Sequence, residues 1–133
     1  MIRKRMDANQ KDPSAAFLPL FDEEQAKSLI FDTAKGLLHV HDNGFVHRDI
    51  KAENCIIDKH FNCRLIDFGL AVAYDKPLSE KLIVGTKLYM SPEILTQDDD
   101  MPYRPPCDIW ALGILMYFLM SGHYPFFGFE VED

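Results

Sequence analysis

A short stretch near the middle of the chain concentrates side chains that could do chemistry. Asp49, Lys51 and Asn54 belong to the run His47-Arg-Asp-Ile-Lys-Ala-Glu-Asn54. A further acid, Asp67, follows Asp49 by 18 residues. Carboxylate and amide oxygens are the ligands that Mg²⁺ prefers. Phosphoryl transfer needs charge neutralised on the phosphates and a hydroxyl held in line, so an acid, a lysine and oxygen donors together suit that chemistry.

Three further motifs follow this run along the chain. Asp67-Phe-Gly69 lies in an apolar, strand-like context, and Ser91-Pro-Glu93 comes next, with Glu93 26 residues after Asp67. Asp108-Ile-Trp-Ala-Leu-Gly113 begins 15 residues after Glu93. Four motifs in this order resemble the eukaryotic serine/threonine protein kinase family, whose catalytic loop corresponds to residues 47–54.

This resemblance implies a role in catalysis or ligand binding for several side chains. Asp49 would accept or orient the substrate hydroxyl, and Lys51 would steady the charge of the γ-phosphate. Asn54 and Asp67 would ligate Mg²⁺ through oxygen. Together with Ile56, which would form part of the adenine floor, Lys51, Asn54 and Asp67 would bind ATP. The cofactors implied are therefore ATP and Mg²⁺.

Other motif residues are expected to act structurally. His47 and Phe68 resemble members of a hydrophobic column that ties the two loops together, and Gly69 completes the Asp-Phe-Gly motif. Asp108 resembles the buried acid that holds the catalytic-loop backbone. Glu93 resembles the acid that pairs with an arginine of a late helix in the family.

Two features favour serine or threonine over tyrosine as the acceptor. Lys51 stands two residues after Asp49, where tyrosine kinases usually carry a different loop. Gly85-Thr86 precedes Ser91, and Thr86 resembles the threonine that bonds to the catalytic aspartate and lysine. The implied partner is a protein substrate with a serine or threonine.

Regulation is predicted within the activation segment, residues 67–93. Arg48 precedes the catalytic aspartate, and arginine can pair bidentately with a phosphate. Ser79 is the best candidate for phosphorylation, with Glu80 beside it as an alternative source of negative charge. Full activity in Ser79→Ala would contradict this hypothesis. Other hydroxyls in the segment are those of Tyr74, Thr86, Tyr89 and Ser91.

Substrate preference is harder to predict. Glu53 matches a position that contacts basic substrate residues in some kinases. Phe118, however, stands where those kinases often have a second glutamate, so a preference for arginine before the target hydroxyl does not follow. The run from Trp110 to Gly128 resembles the calmodulin-dependent kinase group.

The elements around these motifs are predicted from periodicity. Asp22 is a helix N-cap with Gln25 at the capping-box position, and Asn43-Gly44 ends the helix. Its expected face carries Ala26, Leu29, Ile30, Thr33, Leu37, Leu38 and His41. Strands are predicted at 45–46, 55–57 and 63–66, with short helices at 2–9 and after Ser91. Residues 70–90 and 98–106 are predicted as loops, and the central buried helix spans about 108–121. His39, His41, His60 and His123 show no metal-ligand pattern and are expected on surfaces or helix faces.

Composition is that of a single globular domain. Of 133 residues, 47% are hydrophobic and 26% charged, and the net charge of -7 argues against a nucleic-acid binder. The longest apolar run, residues 109–120, is too short to span a membrane. Cys55, Cys63 and Cys107 have no C-x-x-C spacing, which favours reduced thiols and a cytoplasmic or nuclear location.

The resemblance predicts an α+β, mainly α-helical, protein kinase-like fold, with residues 1–133 forming a partial catalytic domain from the C-terminal lobe. The 133 residues contain no Gly-rich loop and no Val-Ala-Ile-Lys-like strand. We therefore expect the isolated chain to be marginally stable and to bind ATP weakly. Two interpretations remain: an active kinase whose sequence was cut short, or a non-catalytic fragment that acts as a binding or decoy module.

Overall fold

The computed structural model of the chain describes residue 2 and residues 4–5, 18–74, 83–96 and 103–126. In these ranges the helices are α1 (Glu23–Asp42), α2 (Pro92–Leu95) and α3 (Pro105–Ser121). The strands are β1 (Phe45–Val46), β2 (Cys55–Ile57), β3 (Cys63–Leu65) and β4 (Val72–Ala73). Short 3₁₀ helices span Ala52–Asn54 and Lys87–Tyr89. The described part of the chain therefore has more helix than strand, and its strands are very short, as the sequence predicts.

Helix α1 begins where its N-cap was predicted. The Asp22 carboxylate accepts a hydrogen bond from the Gln25 backbone N–H at 2.8 Å, and Gly44, at φ +82°, follows the helix end. The buried face consists of Ala26, Leu29, Thr33, Leu37 and Val40. Leu38, expected on that face, is 59% exposed, because it lies about 100° around the helix from Leu37. Val40 is buried in its place.

The N-cap gives a first prediction. Asp22→Ala removes the acceptor for an N–H that has no partner within the helix, so we expect the free energy of unfolding to fall by about 1 kcal/mol. Thermal unfolding of the purified natural protein measures the change. Asp22→Ser, which keeps a capping oxygen, should retain most of the stability. Equal losses in both variants would contradict a capping role.

The strands form two small antiparallel pairs that flank the catalytic-loop motif. Strand β2 pairs with β3, with Ile56 opposite Arg64. Strand β1 pairs with β4, with Val46 opposite Val72. Strand β4 lies inside the predicted loop 70–90 and was missed, because two residues are too few to show an alternating pattern.

Helix α3 begins at Pro105, three residues before the predicted start, so residues 105–106 are helical and not part of a loop. Proline is favoured in the first helical turn because its missing N–H would have no partner there. Gly122 ends the helix at φ +79°. Within the described ranges, no helix is both long enough and apolar enough to cross a membrane.

The core lies between α1, α3 and the β2–β3 pair. Leu29, Leu37, Leu115 and Leu119 are among its fully buried side chains. The backbone N–H groups of Leu20 and Phe21 donate to the Leu119 carbonyl at 3.1 and 3.2 Å, fixing the entry to α1 against α3. The opposite face of α3 is open in the described chain, where it exposes Ile109, Met116, Tyr117 and Met120.

The N-terminal helix predicted at 2–9 is described only in part. Ile2, Lys4 and Arg5 are helical, and Ile2 is buried. Arg5 donates to the Leu20 carbonyl, and its guanidinium carbon lies 4.3 Å from the Phe21 ring centroid. These contacts attach the N-terminal residues to the start of α1.

Candidate active site

Asp49 lies at the centre of a compact set of polar contacts. Thr86 Oγ1 donates to Asp49 Oδ1 at 2.9 Å, and Lys51 Nζ lies 2.7 Å from Asp49 Oδ2. Lys51 Nζ also donates to Thr86 Oγ1 at 3.1 Å. Asn54 Nδ2 donates to the Asp49 carbonyl at 2.8 Å and to Oδ2 at 3.0 Å. The loop 47–54 and the segment around Thr86 therefore meet at one carboxylate.

These contacts decide the charge of Asp49. Burial by itself raises the pKa of the carboxyl group, because a charged group loses hydration there. The hydrogen bonds from Lys51, Thr86 and Asn54 more than offset burial, so the pKa of Asp49 is lowered overall. Asp49 is therefore a carboxylate at neutral pH.

The backbone before Asp49 is held by a buried acid. Asp108 on α3 is 1% exposed; it accepts from the His47 backbone N–H at 2.8 Å and from the Arg48 backbone N–H at 2.9 Å. Arg48 has φ +67°, a conformation that non-glycine residues rarely adopt. The two bonds to Asp108 stabilise this turn, and the turn places Asp49 toward Thr86.

A third donor to Asp108 was not expected from the sequence. His41 Nε2 lies 2.9 Å from Asp108 Oδ2, and the His41 side chain is largely buried. His41 therefore lies on the face of α1 where its spacing placed it, and it links the end of α1 to the start of α3. Nothing in the local sequence indicates this contact, because its partner is 67 residues away.

The motif at 67–69 lies beside the loop. The Ile66 N–H donates to the Asn54 carbonyl at 2.9 Å, which brings Asp67 next to Asn54. Asp67 is exposed at φ +62°, and its Oδ1 accepts from the Gly69 N–H at 3.2 Å. The Phe68 ring meets the His47 ring edge-on, with centroids 4.9 Å apart. The two loops therefore contact each other through the backbone and through these rings.

The predicted metal ligands fit Mg²⁺ by their chemistry. Asn54 uses its amide N–H₂ on Asp49, which leaves the amide oxygen as a donor atom. Asp67 supplies exposed carboxylate oxygens on the adjacent loop. In the part of the chain that the structure describes, no three His, Cys, Asp or Glu side chains could hold a metal by themselves. Mg²⁺ is usually bound by one or two carboxylates together with substrate phosphates, so two oxygen donors suffice.

Gly85 allows the segment before Thr86 to approach the loop. A Cβ atom on Gly85 would lie 2.4 Å from the Arg48 carbonyl oxygen, and the residue has φ +111°. Both facts require glycine here. This close backbone approach brings Thr86 within hydrogen-bond distance of Asp49.

The remaining predicted residues are more dispersed. Ile56 on β2 is 51% exposed, as an apolar ligand surface would require. Glu93, in the first turn of α2, has no salt bridge to another described residue. Ser79 lies outside the described residues, so its predicted phosphorylation stays a prediction.

Aromatic side chains fill the region near Glu53. The buried ring of Phe118 stacks on the ring of Tyr124, with centroids 4.6 Å apart. Tyr124 in turn meets Tyr89 edge-on at 5.5 Å. The negative charge of exposed Glu53 contributes to a raised pKa in both tyrosines, although burial is the main cause. Glu53 therefore lies near the phenol groups of Tyr89 and Tyr124. The ring of Phe118 occupies the position where some kinases have a second glutamate.

The buried cysteines belong to the core beneath the loop. Thr33 Oγ1 lies 3.8 Å from Cys55 Sγ and 3.4 Å from Cys63 Sγ. The contact with Cys63, together with burial, raises the pKa of the Cys55 thiol, and all three cysteines are free. Cys55 and Cys63 are thus packing residues of the β2–β3 pair.

Comparison with known proteins supports one family. The chain matches the family described as the protein kinase domain over residues 6–133. It is 47% identical over 97 residues to rhodopsin kinase grk7a of Danio rerio, covering 71% of this chain and 17% of that protein. It is 39% identical over 112 residues to NUAK family SNF1-like kinase 1 of Mus musculus, covering 84% of this chain and 17% of that protein.

A further relative carries the acceptor class in its name. The chain is 39% identical over 110 residues to serine/threonine-protein kinase DCLK3 of Mus musculus, covering 80% of this chain and 13% of that protein. The chain therefore spans between 13% and 17% of the length of these three relatives.

Proposed function

Because the chain belongs to the protein kinase domain family, we propose that it acts within a serine/threonine kinase that transfers the γ-phosphate of ATP to a protein hydroxyl. The observation that carries this proposal is the convergence of Lys51, Asn54 and Thr86 on the Asp49 carboxylate. A lysine and a threonine at these positions favour serine or threonine as the acceptor.

The described residues leave the Asp49 carboxylate room for one more donor. A carboxylate offers about four lone-pair sites. Lys51 and Asn54 use both sites of Oδ2, whereas Thr86 uses one site of Oδ1. The remaining site of Oδ1 would accept the hydroxyl of the substrate. Asp49 would thus orient that hydroxyl and take its proton as the phosphate transfers.

Lys51 is placed to bind both the Asp49–Thr86 pair and the γ-phosphate. Its ammonium has three N–H donors, and Asp49 and Thr86 use two of them. The third would donate to a γ-phosphate oxygen and offset its negative charge. Thr86 holds Lys51 and Asp49 together, so the lysine remains beside the acceptor hydroxyl.

Asn54 and Asp67 would hold Mg²⁺ through their oxygen atoms. Bound Mg²⁺ would neutralise charge on the phosphates. The hydrogen bonds from Asn54 Nδ2 to Asp49 keep the amide oxygen turned away from the carboxylate. The exposed side chain of Ile56 would contact the adenine ring.

The 133 residues would form one part of the catalytic unit. We place residues 1–133 in the larger, C-terminal lobe of a kinase domain, with the activation segment at 67–93. The Gly-rich loop and the lysine strand that grip ATP in this family are not among these residues. The isolated chain should therefore bind ATP weakly and transfer little phosphate.

Substrate choice would depend on residues beside the acceptor site. Glu53 remains a candidate contact for a basic residue of the substrate. Phe118, whose buried ring stacks on Tyr124, stands in place of a second acid, so a strict requirement for arginine is not expected.

The test is a phosphate-transfer assay on the natural protein, purified at the length at which cells make it. ATP labelled in the γ-phosphate is incubated with Mg²⁺ and a peptide mixture containing serine, threonine and tyrosine. We expect labelled phosphoserine or phosphothreonine, and no label after Mg²⁺ is chelated. Predominant phosphotyrosine would contradict the acceptor class. Absence of transfer would favour the non-catalytic binding module.

A further inference from the structure

Tyr103, just before α3, contacts two separate parts of the candidate active site. Its hydroxyl accepts from the Val84 backbone N–H at 3.0 Å and donates to the Val84 carbonyl at 3.3 Å. Its ring lies over the Arg48 guanidinium, with the guanidinium carbon 4.8 Å from the ring centroid. The side chain is almost fully buried. One phenol therefore satisfies both backbone polar groups of the half-buried Val84.

Val84 lies two residues before the threonine that bonds to Asp49. Gly85, between them, packs its backbone against the Arg48 carbonyl. Thr86 then donates to Asp49. A shift of Val84 would thus pass through one closely packed residue to the Thr86 hydroxyl.

Arg48 connects the same region to the loop after Asp67. Its Nε donates to the Leu70 carbonyl at 2.6 Å, and its guanidinium faces the Tyr103 ring. A cation over an aromatic face is attracted electrostatically by the ring, in addition to the gain from burying apolar surface. Tyr103 therefore holds the Arg48 side chain with its ring and Val84 with its hydroxyl.

The space around these residues does not suggest a ligand pocket. The cavity lined by Arg48, Val84, Thr86 and Tyr103 has a volume of about 20 Å³, which is room for about one water molecule. Tyr103 therefore acts on the site by contact with the protein and not by binding substrate.

We propose that Tyr103 is a positioning residue for phosphate transfer, holding Thr86 against Asp49 through the backbone of Val84. The role in transfer rests on the proposed kinase function. The anchoring of residues 83–86 by Tyr103 does not depend on that function. The two parts can therefore be tested separately.

Tyr103→Phe in the natural protein keeps the ring over Arg48 and removes both hydrogen bonds to Val84. We expect kcat to fall about tenfold, which corresponds to a loss of about 1.4 kcal/mol of transition-state stabilisation. The KM for ATP should stay unchanged, because Tyr103 does not contact Asn54 or Asp67. Amide hydrogen exchange across residues 83–86 should accelerate. The matched control is Tyr117→Phe, which removes the hydroxyl of an exposed tyrosine on the open face of α3 and should change neither measurement.

A double-mutant cycle distinguishes positioning through Thr86 from general loosening of the fold. In a Thr86→Val background the hydroxyl that bonds to Asp49 is gone, so adding Tyr103→Phe should lower kcat by less than twofold. Full additivity of the two changes would contradict coupling through Thr86. Unchanged exchange at 83–86 in Tyr103→Phe would overturn the anchoring itself. If the wild-type protein transfers no phosphate, the kinase proposal and the catalytic part of this inference fail together, while the exchange data still decide the anchoring.

Discussion

Asp49→Asn should lower kcat for phosphate transfer by about 10²–10⁴-fold, the range that a positioned general base typically contributes. An asparagine keeps the shape of the side chain but offers one acceptor oxygen in place of two. Its amide N–H₂ would face donors from Lys51 and Asn54 or from Thr86. The site would thus lose both the proton acceptor and the charge that holds Lys51.

Initial rates and ATP affinity of the natural protein provide the measurement. The affinity for ATP should change much less than kcat, because Asp67 is untouched and Asn54 keeps its hydrogen bond to the backbone carbonyl of residue 49. The matched control is Asp42→Asn, which neutralises an exposed carboxylate at the end of α1 and should leave kcat within about twofold of wild type. An Asp49→Asn protein that keeps more than a tenth of wild-type kcat would exclude Asp49 as the base.

The same variant should show a pH-dependent difference in stability. The hydrogen bonds from Lys51, Thr86 and Asn54 keep the pKa of Asp49 below its ordinary value despite burial. The folded state is therefore favoured by the carboxylate above the ordinary Asp pKa of about 3.9, and this contribution disappears as pH falls through the lower folded pKa. The difference in unfolding temperature between wild type and Asp49→Asn should shrink in acid.

Asp108→Ala should destabilise the protein by about 3 kcal/mol or more. The carboxylate accepts from two backbone N–H groups and from His41, and each buried donor left without a partner costs about 1–3 kcal/mol. The turn at Arg48 would also lose the bonds that stabilise its unusual backbone conformation. We therefore expect kcat to fall together with stability.

Denaturant unfolding of the natural protein measures this effect. Asp32→Ala is the matched control, because within the described ranges the Asp32 carboxylate accepts from one backbone N–H, that of Cys63. It should cost about 1–3 kcal/mol, less than Asp108→Ala. Equal losses of unfolding free energy in the two variants would contradict the prediction, because the three hydrogen bonds of Asp108 would then stabilise the fold no more than one.

The residues that meet at Asp49 could be named from the sequence because they lie in ordered motifs. Lys51 and Asn54 are close to Asp49 along the chain, and Thr86 follows a glycine that the local geometry requires. The ends of α1 could also be predicted, because Asp22 is a typical N-cap residue and Gly44 is typical of a helix end. Features that depend on neighbouring residues, such as helix ends and short motifs, can therefore be predicted from the sequence.

His41 and Tyr103 could not be found in this way. Periodicity places His41 on a face of α1 but does not give its contact with Asp108, because that acceptor is 67 residues away. Tyr103 precedes α3, and its hydrogen bonds reach back 19 residues to Val84. Strand β1 was predicted but its partner β4 was not, for a similar reason. Val72 is in a strand because it pairs with Val46, which is distant in the sequence.

The contact between Asp108 and the loop also has a consequence for the order in which the chain folds. The N–H groups of His47 and Arg48 find their acceptor 61 and 60 residues later in the sequence. A ribosome adds residues from the N-terminus onward, so α1 can form while the acceptor does not yet exist. The turn before Asp49 can take its final conformation only after residue 108 has been made and α3 has docked. Synthesis that stops before that point would leave this turn without the acceptor that orders it.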